Sequence, residues 1–350
     1  MLYTGGMDPI IPAAVFFAAL LLSAGATRWL IRYLNRLNVM DIPNARSNHK
    51  APVPRGGGIA PVAIILAGWG ALTMGHESMP PVLSLQEFVL VGGAVLLLAG
   101  ISFFDDLKGL SPLARLVAQF AATGVVVIAL PFDGAVFQGF VPGWLDAIFT
   151  VILWVWFINL YNFMDGIDGI AGIETAAIGL GIAVALYMSG GFTDQTAAHG
   201  LMGLLVAGAA IGFLFYNWSP AKVFLGDAGS VPLGFMLGWL LLELAASGQW
   251  AAALILPSYY LVDATLTLLR RGIRGEAVWR AHKEHFYQQA VAKGLSHARV
   301  STTLAIGNIF LIALAITSAH APVSGLISAA AVVFVLLLYF KQSQLRPERE

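Results

Sequence analysis

N-L-Y-N-F-M-D-G-I-D-G-I-A-G, residues 159–172, sets two aspartates and three evenly spaced glycines at the end of an apolar run. An ionised aspartate inside a bilayer costs at least a few kcal/mol, so a carboxylate in this setting marks a site that holds ions or handles charge. Read as helix, Asp165 and Asp168 stand three apart and share one face. Gly166, Gly169 and Gly172 leave a neighbouring face bare, where another backbone or a phosphate can come close.

The rest of the chain supports a membrane setting. Its 350 residues are 58% hydrophobic and only 11% charged, with a mean hydropathy of +0.80. That is far too apolar for a soluble globule, and the class is an all-α polytopic membrane protein. There is no cysteine, which excludes disulfides and thiolate metal sites but leaves histidine and carboxylate ligands open. Met1 to Pro9 carries no lysine or arginine, and the apolar run after it is long enough to stay in the membrane, so no cleaved signal peptide is expected.

At about 20 apolar residues per span, about eleven transmembrane helices are expected, near 10–31, 58–75, 86–104, 113–131, 144–162, 170–189, 199–216, 230–247, 251–269, 301–319 and 322–340. Their connections alternate. One set comprises 32–57, 105–112, 163–169, 217–229, 270–300 and the tail after Phe340. The other, near 76–85, 132–143, 190–198, 248–250 and 320–321, holds no lysine or arginine. With Arg28 and Arg115 counted at span ends, all nineteen basic residues lie on the first side, which the positive-inside rule makes cytoplasmic. An odd number of spans then puts the N-terminus in the periplasm and the basic C-terminus in the cytoplasm. One integral-membrane domain, 1–350, is the expected organisation, with the active site formed by the cytoplasmic loops.

Asp105, Asp106, Asp165, Asp168 and Asp227 all fall at cytoplasmic ends of expected spans. A lone aspartate there is ordinarily a cap or a solvated helix end. Five converging on one membrane face point to a charge-handling site. In F-F-D-D-L-K-G-L-S-P-L-A-R, the adjacent Asp105 and Asp106 repel, so either one holds a proton or a cation binds nearby. Magnesium suits them, because it takes one or two carboxylates and completes its shell with phosphates and water. Manganese is the alternative. In A-K-V-F-L-G-D-A-G-S, Asp227 stands between glycines and can approach a metal-bound diphosphate closely. Phe224 either stacks on a base or packs at the membrane edge.

Two basic loops accompany the acids. D-I-P-N-A-R-S-N-H-K-A-P-V-P-R-G-G-G, residues 41–58, carries Arg46, His49, Lys50 and Arg55. Its arginines suit phosphate oxygens, and anchoring to anionic lipid is the plainer reading. R-R-G-I-R-G-E-A-V-W-R-A-H-K-E-H-F-Y-Q-Q carries His282 and His285, whose spacing is not that of H-E-x-x-H zinc sites. They can bind phosphate or sugar oxygens, or be ordinary loop residues. Asp263 lies seven residues before Arg270, roughly 10 Å deeper along a helix. It is either functional or a hydrogen bond locking two helices. Asn162 precedes the central aspartates and can orient them.

These motifs, in this order, resemble the polyprenyl-phosphate N-acetylhexosamine-1-phosphate transferases, the membrane superfamily that includes phospho-MurNAc-pentapeptide translocase. The match runs through D-I-P-N-A-R-S-N-H-K, F-F-D-D-L-K, N-F-M-D-G-I-D-G, F-L-G-D-A-G-S and R-A-H-K-E-H-F-Y-Q, nearly the whole chain. The resemblance implies ten or eleven spans and Asp227 as the principal magnesium ligand, joined by Asp165. It further implies Phe224 against the uracil of a UDP-sugar, and Asp105, Asp106, Asp165 and Asp168 on phosphates, metal or the attacking group, with Asn162 assisting. The translocase branch carries a histidine run that H-K-E-H lacks, which argues against a muramyl-pentapeptide substrate. The closer likeness is to the branch that starts O-antigen or other surface glycans, using N-acetylglucosamine or a dideoxy sugar such as N-acetylfucosamine.

The expected reaction moves an N-acetylhexosamine 1-phosphate from a UDP-sugar to undecaprenyl phosphate and releases UMP, in the bacterial inner membrane. A homodimer is compatible, and no nucleic-acid partner is expected. The rival is an ion-coupled secondary transporter, since intramembrane acids and glycine-rich helices also suit carriers. Acids gathered at one face, without an inverted repeat, speak against it.

Overall fold

The computed structural model describes residues 10–42, 52–75, 83–130, 132, 134–188, 194–278 and 282–343. In lipid, backbone polar groups must find partners within their own segment or in a closed barrel, and the long apolar runs here take the helical solution. The helices are α1 (Ile10–Leu37), α2 (Ile59–Thr73), α3 (Leu85–Lys108), α4 (Pro112–Ala129), α5 (Gly143–Met164), α6 (Ile170–Met188) and α7 (Asp194–Asn217). They continue as α8 (Asp227–Leu244), α9 (Trp250–Ile255), α10 (Ser258–Ile273), α11 (Phe286–Ala292), α12 (His297–Ser318) and α13 (Pro322–Gln342). Two short strands, β1 (Met40–Asp41) and β2 (Val53–Pro54), pair antiparallel between α1 and α2, with Met40 opposite Pro54.

Several helix starts are fixed by their own sequence. Ser84 and Glu87 form a reciprocal capping box at α3, the Glu87 N–H donating to the Ser84 hydroxyl at 3.1 Å and the Ser84 N–H to the Glu87 carboxylate at 2.6 Å. Ser111 caps α4, with Pro112 in its first turn, and Ser296 caps α12. At the centre stands α8, in which every residue from Ala228 to Leu242 is buried. A helix apolar on all sides belongs in such a position. It packs on α5 and α3, and the Trp154 indole N–H donates to the Phe235 carbonyl at 2.9 Å. Around it, α7 packs against α6 and α1, and α12 against α6 and α13.

Among the described residues nine helices are long and apolar enough to cross a membrane. The expected eleven is not reached by that measure, for two local reasons. The span expected at 58–75 forms α2, which has only fifteen residues. The span expected at 251–269 is divided: α9 stops at Ile255, Pro257 follows without an N–H to continue the ladder, and α10 begins at Ser258. The connection expected at 248–250 does fall on a break, since Gly248 has φ +93° between α8 and α9.

The starts of α2, α4, α6, α8 and α12 and the ends of α3, α5 and α7 meet at one end of the bundle. Their meeting is fixed by contacts such as Arg55–Asp106 at 2.9 Å, Ser230–Asn162 at 2.6 Å and Ser301–Asp168 at 2.8 Å. At the opposite end, the Gln138 amide donates to the Ala245 carbonyl at 2.8 Å. This division of helix ends matches the alternation of basic and non-basic connections.

Candidate active site

The site begins with backbone. Phe224 N–H donates to the Pro54 carbonyl at 2.9 Å, Gly57 N–H to Phe224 at 2.8 Å and Gly58 N–H to Leu225 at 2.9 Å. The R-G-G-G and F-L-G-D-A-G segments are thereby stitched side by side. Glycine is required at the seam: a Cβ on Gly229 would sit 2.5 Å from the Cα of Gly58, and Gly226 has φ +72°. The seam places Arg55 over Asp227.

Charge is then paired across four elements. Arg55 Nη2 lies 2.9 Å from Asp106 Oδ1 and 3.0 Å from Asp227 Oδ1. Arg115 Nη1 lies 2.9 Å from Asp105 Oδ2 and 3.8 Å from Asp227 Oδ2. Asp105 also accepts the Leu110 N–H at 2.5 Å. Two aspartates in the last turn of α3 oppose its negative dipole end, and the guanidiniums offset both. Burial pulls Arg55 down, but the charges of Asp227, Asp106 and Asp41 outweigh it and hold the guanidinium above its ordinary value. Beside this network a cavity of about 140 Å³ is lined by Asp105, Arg115, Gln119, Asn159, Asn162 and Asp227.

The central motif divides its two aspartates. Asn162, at the end of α5, accepts the Ser230 hydroxyl at 2.6 Å and faces the cavity. Asp165 ends α5; burial, and then the charge of Asp227, push its carboxyl up to about 7. Its side chain makes no hydrogen bond among the described residues. Asp168 turns to other partners: it lies 3.3 Å from His297 Nδ1, accepts the Ala221 N–H at 3.2 Å, and its carbonyl takes the Ser301 hydroxyl at 2.8 Å. Burial pushes Asp168 up, and His297 with the Ala221 and Ser219 donors outweighs it and holds the carboxyl below its usual range. Asn217 closes the corner, accepting Gly169 N–H at 3.0 Å and donating to the Val223 carbonyl at 2.9 Å.

The last loop is held by ion pairs. Arg271 lies 2.9 Å from Glu276 and 3.5 Å from Glu284, and Arg274 pairs with the same two glutamates. His282 is lowered to about 4 by burial, then by His285 and Arg271, so at neutral pH it offers ring nitrogens without a charge. His285 is buried against Asp263, Nδ1 to Oδ1 at 3.3 Å. Phe224 is half-buried beside Arg55, bridged to it through backbone. Arg46 and His49 lie outside the described residues.

Asp105, Asn162 and Asp227 thus line one cavity, Arg55 and Asp106 pair beside it, Asp165 adjoins them electrostatically, and Asp168 and His285 are engaged elsewhere. Sequence reasoning missed Arg115 as a site residue, along with Asn217 and His297. Arg115 had a readable signal, an arginine on the helix that opens directly after D-D; His297 had none.

Comparisons with known proteins address the same residues. The profile of glycosyl transferase family 4 matches residues 88–245. A probable undecaprenyl-phosphate N-acetylglucosaminyl 1-phosphate transferase of Bacillus subtilis is 28% identical, over 93% of this chain and 89% of its own. Decaprenyl-phosphate N-acetylglucosaminephosphotransferase of Mycobacterium tuberculosis is 30% identical, over 82% of this chain and 78% of its own. The chain belongs to glycosyl transferase family 4. A phospho-N-acetylmuramoyl-pentapeptide-transferase of Shouchella clausii, 32% identical over 75% of this chain and 82% of its own, widens the likeness to the superfamily named by the motifs. In this family 4 member the matched region takes in Asp105, Asp106, Asn162, Asp165, Asp168 and Asp227, while Arg55, His282 and His285 lie outside it.

Proposed function

We propose that this membrane transferase moves N-acetylhexosamine 1-phosphate from a UDP-sugar to undecaprenyl phosphate. The observation that carries the reading is the pairing of Arg55 and Arg115 with Asp105, Asp106 and Asp227 beside a polar cavity at one end of long apolar helices. In the reaction an oxygen of the lipid phosphate bonds to the β-phosphorus of the UDP-sugar. The bond from that phosphorus to the bridging oxygen breaks, and UMP leaves with the electron pair. The work is mainly positioning and charge stabilisation.

The residues divide that work. Arg55 and Arg115 exchange carboxylates for diphosphate oxygens, which their planar forks fit. Phe224 offers its ring to the uracil, and Asn162, held by Ser230, fixes a phosphate oxygen. Asp105 or Asp106 takes any proton the lipid phosphate still carries. Asp168, engaged by His297, holds the loop that presents Asp165. The donor set suits magnesium, with manganese as the alternative: Asp165 and Asp227 supply two hard oxygen ligands, and among the described residues no group of three acids or histidines forms a closed cage. A cation that keeps its waters and takes substrate phosphates needs no such cage. When bound, it neutralises the diphosphate.

The basic connections favour a cytoplasmic setting for this end of the bundle, where nucleotide sugars arrive, and with it an N-terminus outside and a C-terminus inside. An apolar groove between α5 and α10, lined by Trp156, Leu268, Leu269 and Ile273 and about 450 Å³ in volume, suits the lipid tail. The relatives' names favour N-acetylglucosamine as the sugar, and we read the step as one that initiates a surface glycan such as O-antigen. The carrier reading finds no support, because the likenesses are to transferases.

The test is UMP release by detergent-solubilised protein given undecaprenyl phosphate, magnesium and a panel of UDP-N-acetylhexosamines. Release with UDP-N-acetylglucosamine, abolished by EDTA and lowered at least about 100-fold by Asp227→Asn, is expected. Folded protein that releases UMP with none of the sugars would overturn the reading.

A further inference from the structure

Asp263 is fully buried on α10 and belongs to none of the pairs described around the cavity. If it locked two transmembrane helices, its partners would sit on a neighbouring helix. They do not. Tyr259 O–H donates to Oδ2 at 2.8 Å and Thr267 O–H to Oδ1 at 3.2 Å, both one turn away on the same helix. The remaining partners come from one short segment after the ion-paired loop. Phe286 N–H donates to Oδ1 at 3.0 Å, Tyr287 N–H reaches Oδ2 at 3.5 Å, and His285 Nδ1 lies 3.3 Å from Oδ1. A buried carboxylate is costly without donors, and here the first turn of α11 supplies them.

The segment held this way touches the central motif. Tyr287 is fully buried, and its hydroxyl donates to the Phe163 carbonyl at 3.5 Å. A Cβ on Gly166 would collide with the Tyr287 hydroxyl and lie 2.8 Å from Gln288 Nε2. Gly166 is the residue after Asp165. A continuous path of contacts therefore runs from Asp263 through the start of α11 to the loop that carries Asp165 and Asp168.

We propose that Asp263 is a positioning residue for phosphosugar transfer. By anchoring 285–287 it seats Tyr287 and Gln288 against Gly166 and so sets where Asp165 stands. The inference rests on the transferase reading, and its test has one arm independent of turnover. Hydrogen–deuterium exchange of the full-length protein in detergent is compared between wild type and Asp263→Asn, which keeps the size and one acceptor. Faster exchange in both 282–292 and 163–170 is expected; a change confined to 282–292 would overturn the coupling even if the wild type released no UMP.

In the kinetic arm, Asp263→Asn lowers kcat at least ~10-fold with KM for the UDP-sugar within about threefold, because the loss is one of alignment and not of substrate contact. A second pair of variants covers misfolding. Gly166→Ala should lower kcat, and Tyr287→Phe in that background should recover part of it by removing the colliding hydroxyl. No recovery, or full wild-type kcat in Asp263→Asn, would overturn the proposal.

Discussion

Asp165 and Asp168 are three positions apart and sit in opposite electrostatic surroundings. Asp165 is raised to about 7 by burial and by Asp227, whereas Asp168 is held down by His297 and its other donors. The sign of the consequence follows. A carboxylate must lose its proton to bind a cation, so on the proposed role of Asp165 as a magnesium ligand, protons compete with the metal below about pH 7. The magnesium concentration giving half-maximal UMP release should therefore rise as pH falls from 8 to 6, by up to about tenfold per unit below 7. Asp165→Asn should flatten that dependence, and an unchanged slope would show that another group sets it. Sequence alone singled out both aspartates as candidates for handling charge, because residue type and the apolar flank are local facts. Which way each side chain turns depends on His297, 129 positions after Asp168, and no local pattern carries that.

The seam between R-G-G-G and F-L-G-D-A-G shows how far whole elements were legible. Glycines flanking Asp227 signalled close approach, yet what approaches is the backbone of residues 54–58, far away in sequence. Gly229→Ala puts a methyl 2.5 Å from Gly58 Cα, in rigid backbone on both sides. It should destabilise the protein by about 1–3 kcal/mol. Turnover should fall by ~10-fold or more, because Arg55 shifts off Asp227, with helix content by circular dichroism unchanged. Wild-type turnover would show that the seam does not place Arg55. The span starts expected at 86 and 113 lie one residue from those of α3 and α4, where Ser84 and Ser111 supply caps. The run at 251–269 was read as one span because hydropathy averages over Pro257, whereas a hydrogen-bond ladder cannot.

At the scale of the molecule, the alternation of basic and non-basic connections carried most of the architecture. Charge placement is additive along the chain and needs no knowledge of packing, so the gathering of helix ends could be anticipated, while the pairing of Arg115 with Asp105 could not. The orientation is directly testable because the chain has no native cysteine. Single cysteines from Lys222→Cys and Arg274→Cys should react with an impermeant maleimide only in inside-out vesicles. Those from Gln138→Cys and Ser247→Cys should react only in right-side-out ones. Labelling of all four from one side would refute the topology.

In the proposed reaction, the placement of the cavity at the end of the bundle also sets how the two substrates would meet the protein. A water-soluble nucleotide sugar searches in three dimensions, whereas a lipid phosphate held in the same sheet as the helices searches in two. Turnover should then follow the mole fraction of acceptor within the bilayer or micelle and not its amount per volume. Adding inert lipid at constant total acceptor would slow the reaction, although every bulk concentration of reactant stayed the same.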